Sequence, residues 1–142
     1  MLSRDDVMDR YLDADELMPL LTIDEFFTDN PDEESIAPNQ HGYGRPPLAE
    51  IAERLTRFAA DPDVAWIRVQ LHEEMFDDEY DGVAAESIAI CTCLDEETVE
   101  DRLDTDSLAS DGVWEGLSYD EDDYCDVPTV PADHRILTMS WG

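Results

Sequence analysis

Few residues in this chain have chemistry to offer. Cys91 and Cys93 stand one residue apart in "SIAICTCLDEETVEDRL", residues 87–103, with a crowd of carboxylates behind them. A structural zinc calls for about four soft or imidazole ligands, usually from C-x2-C-type spacing. The chain offers C-x-C, a distant Cys125 and three scattered histidines, His41, His72 and His134. A disulfide across i and i+2 of a strand is strained. A cysteine nucleophile needs positive charge beside it to lower its pKa, and these neighbours are overwhelmingly negative. "DDEYDG", residues 77–82, begins like an acidic calcium loop, but its twelfth position is Ile88 where a bidentate glutamate belongs. "YDEDDYCD", residues 119–126, lacks the glycine altogether. Both read as solvated acidic loops that hold cations weakly. There is no G-x-S-x-G, and no glycine-rich phosphate loop. With 38 acidic residues, two adjacent carboxylates say nothing about acid–base catalysis. The residues therefore assign no catalytic, cofactor or metal position.

Composition narrows the partners. The chain has 142 residues, 42% apolar, enough for one domain with a real core. The net charge is −30, and all eight basic residues are arginine. Such a surface repels nucleic-acid phosphate and anionic membranes, and it attracts basic proteins and divalent cations. Two causes compete for the charge. One is a basic partner. The other is adaptation to a salty cytoplasm or to a GC-rich genome that favours arginine over lysine, and it carries the more weight. The N-terminal stretch has no long apolar run and no cleavage pattern. With three cysteines, this points to a reducing cytoplasm and free thiols.

The elements follow from periodicity and capping. Val7, Met8, Tyr11 and Leu12 recur at helical spacing, so residues 1–20 read as a short helix over about 4–13 or a flexible arm. Thr22 and Glu25 form a capping box, with Leu21 and Phe26 as the staple of a helix over 23–28. A longer helix starts at Pro46-Pro47 with an apolar stripe of Leu48, Ile51, Ala52, Leu55, Phe58 and Ala59. "VAWIRVQL", 64–71, is a strand. Ala65, Ile67, Val69 and Leu71 share its core face, while Val64, Trp66, Arg68 and Gln70 face solvent or a partner. His72 alternates onto that second face as a surface residue. A strand over 87–93 puts Ser87, Ala89, Cys91 and Cys93 on one face and Ile88, Ile90 and Thr92 on the other. Asp95 then caps a helix whose first turn holds Glu96 and Glu97. The acids after the cysteines thus have a structural task, and the cysteines pack a helix onto the sheet. Residues 104–133 read largely as loop, with Trp114, Leu117 and Tyr119 as candidate anchors to the core, and 135–141 as a last strand with Leu137, Met139 and Trp141 on one face. The sum is a single α+β domain over 21–142, a small and mainly antiparallel sheet of about three strands with helices on one face.

The succession "LTIDEFFTDN", "PPLAEIAERLTRFAADPDVAWIRVQL", "GVWEGL" and "RILTMSWG" resembles a family of small uncharacterised bacterial proteins. In size and α+β character these are similar to acidic immunity-type proteins of toxin–antitoxin conflict systems. The resemblance spans about residues 20–142, and its motifs are structural, so it carries no catalytic residue over. The expectation is a non-enzymatic, cytoplasmic, protein-binding domain of the immunity or inhibitor kind. It would steer a basic partner onto an acidic, tryptophan-bearing surface formed by Trp66, Arg68, Asp77, Asp78, Glu79 and Asp81. The alternatives are a salt-adapted housekeeping domain, and an enzyme using clustered carboxylates with His41 or His72.

Overall fold

The computed structural model describes residues 2–30, 32, 35–36, 46–77, 82–108, 110 and 112–140. Helix α1 (Arg4–Asp13) begins where the Ser3 side chain accepts from the Asp6 N–H. Strand β1 (Met18–Leu21) follows, then α2 (Ile23–Phe27). The capping box of α2 is complete. Thr22 Oγ1 accepts from Glu25 N at 3.1 Å, and Glu25 Oε1 accepts from Thr22 N at 3.0 Å. Helix α3 (Leu48–Ala59) has Pro47 at its N-cap, and Glu53 and Arg57 pair on its solvent face. The chain continues through β2 (Val64–Leu71), a 3-10 turn (Glu73–Phe76), β3 (Ala85–Thr92) and α4 (Glu96–Leu103). Asp95 caps α4 by accepting from the Thr98 N–H at 2.8 Å. Then come β4 (Gly112–Glu115), a second 3-10 turn (Glu121–Asp123), β5 (Tyr124–Cys125) and β6 (Arg135–Ser140).

The strands form one six-stranded sheet in the order β4-β6-β3-β2-β1-β5. This corrects the expectation of about three strands. The sheet is also mixed, because β5 runs parallel to β1, with Met18 opposite Tyr124 and Pro19 opposite Cys125. The other pairings are antiparallel. The additional strands β1, β4 and β5 are four, four and two residues long. Alternation cannot register in so few residues, and Pro19 further masks β1. Residues 104–133, expected as loop, hold two of these strands.

The helices share one face of the sheet. Val7, Phe26, Ile51, Leu55, Val99 and Leu103 join Ile67, Val69, Ile88, Ile90, Leu137 and Met139 in the main core. Burying each such side chain contributes about 1.5–3 kcal/mol. A register shift between Val64 and Trp66 corrects the expected alternation at the start of β2. The extra residue, Ala65, is exposed, and Val64 turns into the main core instead. Trp141 and His41 lie outside the described residues. Among the described residues no helix is long and apolar enough to cross a membrane.

Candidate functional site

The opposite sheet face was expected to meet solvent or a partner, with the cysteines beneath a helix. Both expectations are corrected. Segment 116–134 of the same chain lies across this face. Cys91 and Ala89 are fully buried there beside Trp66, with Leu117, Val127 and Ile136 packed against them. Below, Gln70 is fully buried and satisfied on both sides of its amide. Its Nε2 donates to Thr138 Oγ1 at 2.9 Å, and its Oε1 accepts from Ser118 N at 2.8 Å and from Tyr124 Oη at 2.9 Å. A half-polar strand face is therefore an internal hydrogen-bonded layer. Sequence periodicity reports only the polarity of a face, not which segment covers it.

The three thiols are free. Burial pushes the Cys91 and Cys125 thiols up, and desolvation together with Asp63 does the same at exposed Cys93. All three are therefore held as the less reactive thiol. Among the described residues no group of three or more His, Cys, Asp or Glu is placed to hold a metal ion.

Of the expected partner residues, Trp66, Arg68 and Asp77 are among the described ones. Trp66 is only 9% exposed, and its Nε1 donates to the Thr129 carbonyl at 3.1 Å. Arg68 lies 5.9 Å from the Trp66 ring centroid and donates to the Ile67 carbonyl. These two are neighbours near the start and middle of β2, whereas Asp77 follows the 3-10 turn beyond the other end of the strand. Asp78, Glu79 and Asp81 lie outside the described residues.

Asp77 instead lines a different feature. A half-open groove of about 420 Å³ is bounded by Tyr11, Glu16, Met18, Glu73, Glu74, Phe76, Asp77 and Asp123. Its aromatic part is built from two distant elements. Tyr11 on α1 stacks on Phe76 of the 3-10 turn, with ring centroids 4.3 Å apart and planes at 21°. Arg4 fixes the two elements together, since its Nη2 donates to the Met75 and Asp77 carbonyls, both at 2.9 Å. His72, expected as a surface residue, has a specific role. Its Nδ1 accepts from Glu74 N at 3.2 Å and so caps the turn that presents Phe76. Glu16 enters from a left-handed turn with φ 66°, and its N–H donates to the Tyr11 carbonyl at 2.8 Å. Desolvation, and then Glu16, raise the Tyr11 hydroxyl pKa, so the ring stays neutral.

Two half-buried π faces thus sit among five carboxylate side chains. An aromatic face attracts a cation electrostatically, and flanking carboxylates complete a charged hydrogen-bonding site. The arrangement suits a guanidinium or ammonium group. No sequence window contains it, because Tyr11 and Phe76 are 65 residues apart. The only local signal was an aromatic residue inside the acidic run "HEEMFDD".

Fold and site together define a small acidic α+β protein with a mixed six-stranded sheet and an aromatic, carboxylate-lined groove. The chain belongs to the uncharacterised protein YfbO family, whose model matches residues 2–139. No curated protein and no solved structure matches it.

Proposed function

We infer that this is a protein-binding domain of the inhibitor or immunity kind, which engages a basic partner through the groove between α1 and the 3-10 turn. The observation that supports it is the stacked Tyr11–Phe76 pair ringed by Glu16, Glu73, Glu74, Asp77 and Asp123. Net charge alone would draw any basic protein to the surface. An aromatic pair inside the acidic ring gives a cationic side chain a particular seat. A partner arginine would lie over a ring face while its N–H groups reach the rim.

The test separates seat from charge. Calorimetry would follow an arginine-rich peptide binding to the parent protein, to Phe76→Ala, and to a variant with Asp106 and Asp133 neutralised away from the groove. Phe76→Ala keeps every charge and should weaken binding about tenfold, as loss of a desolvated cation–π contact of 1–2 kcal/mol implies. The distant neutralisations should change affinity much less. Equal affinity of Phe76→Ala and parent would sink the groove as the binding site.

A second reading has its own support. Among the described residues, the non-glycine positions with positive φ are Asp15, Glu16, Asp29, Asp104, Asp126 and Asp133. Uncharged glycine and asparagine serve such positions as well as aspartate does. Carboxylates here have entered even the turns, which favours acidity as a whole-chain adaptation to salt rather than a feature of one interface.

A further inference from the structure

We propose that segment 117–134 is a strap that opens as a unit from the sheet while the helix-side core stays folded. The two faces of the sheet are held very unequally. Among the described residues, the main core on the helix side contains 23 buried residues. The two clusters between strap and sheet contain three buried residues each, Met18 and Leu20 with the strap's own Tyr124 in one and Trp66, Ala89 and Cys91 in the other. No strap residue belongs to the main core or packs against it. Within 117–134 only Tyr124 is buried. Regular structure there is limited to one 3-10 turn and the two-residue β5.

What holds the strap is the two-residue pairing of β5 with β1 and a small set of side-chain bonds, among them Ser87 Oγ with Ser118 Oγ, Glu73 N to Tyr119 Oη and Cys125 Sγ to the Leu17 carbonyl. Gln70 Oε1 takes Ser118 N and Tyr124 Oη. Thr138 Oγ1 donates to the Gly116 carbonyl at 2.5 Å, at the hinge where the strap begins. Trp66 Nε1 donates to the Thr129 carbonyl, and the Tyr119 hydroxyl donates to Glu86. The groups at both ends of these bonds are satisfied by water once the strap lifts, so their net contribution is small. The half-buried Leu117 and Val127 add modest apolar area. A segment with few buried apolar contacts opens at a free energy below that of global unfolding. The strap also supplies Asp123 to the acidic groove, so opening removes one wall of that groove.

Cys91 is a built-in reporter, because it is fully buried under the strap. In a Cys93→Ser, Cys125→Ser protein, Cys91 would be labelled with an aromatic disulfide reagent at several urea concentrations below the unfolding transition. Strap opening exposes little surface, so the urea dependence of labelling should be less than about half of that for global unfolding. Leu117→Ala should speed labelling about tenfold at zero urea, on the scale of losing part of a leucine's burial. Ile90→Val, in the main core, should lower the global midpoint and leave labelling within about twofold, as independent units require. Gln70→Leu serves as a second strap variant that keeps the volume and removes the polar anchor. The proposal is overturned if Cys91 labelling has the full urea dependence of global unfolding. It is equally overturned if Ile90→Val speeds labelling as much as it destabilises the fold while Leu117→Ala does not.

Discussion

Glu25 shows how a single side chain can serve two elements. One oxygen closes the capping box of α2, and the other accepts from Arg10 Nη2 of α1 at 2.6 Å. The Arg10 hydrogen bond, ahead of opposing desolvation, holds the Glu25 carboxyl below its ordinary value. A carboxyl with a lowered folded pKa stabilises fully above its unfolded value, about 4.3 for glutamate, and stops doing so as pH falls through the lowered value. Glu25→Gln keeps the cap and loses the charge, so it should cost about 0.5–1 kcal/mol at neutral pH. Urea unfolding of parent and variant across the acid range should show that gap closing below about pH 4. A gap that stays constant well below that window would mean that Glu25 acts through shape alone. Such a residue is legible in sequence only as a capping box. Its second partner comes from another helix.

Helix α4 illustrates an element carrying a misfit. It begins well, with Asp95 as its cap and Glu96 and Glu97 in the first turn. It ends on Asp104 in the left-handed region, φ 56°. A carboxylate there lies against the negative end of the helix dipole, and a non-glycine residue bears a steric cost at that φ. Asp104→Gly should therefore stabilise the protein by about 0.5–1 kcal/mol, raising Tm by a few degrees. A fall in Tm on this substitution would show that the carboxylate has a partner worth more than the strain. An element such as α3, with twelve residues, proline before its first turn and an apolar stripe, was readable because its signals are local, whereas the signals of α1 leave a helix and a flexible arm both open. The short strands β1, β4 and β5 were not readable. β1 and β4 pair with the edges of β2 and β6, and β5 with the edge of β1, which no four-residue window encodes.

At the scale of the molecule, the charge of −30 is the dominant physical fact. Simple self-repulsion is largely screened once the Debye length falls to about 8–10 Å, at 0.1–0.15 M salt. A protein adapted to concentrated salt gains stability well beyond that point. Thermal melts in KCl should therefore show Tm still rising, by about 5 °C or more, between roughly 0.3 M and 2 M, if salt adaptation explains the acidity. A plateau above about 0.3 M would shift the weight to recognition of a basic partner. The groove and the salt response are separable, because Phe76→Ala changes the first and leaves every charge in place.

The sequence by itself determined helices α2, α3 and α4, the caps of α2 and α4, the three long strands, the α+β class and the absence of a local catalytic motif. Each rests on interactions within a few residues, such as Thr22 with Glu25, Asp95 with Thr98, or the alternation of Ile67, Val69 and Leu71. Tertiary structure alone decided which segment covers the second face of the sheet. It also decided that Trp66 is buried, and that Tyr11 meets Phe76. Those outcomes depend on contacts between residues tens of positions apart. Polarity and spacing constrain the surface a residue can occupy, and only packing of the whole chain selects its neighbour.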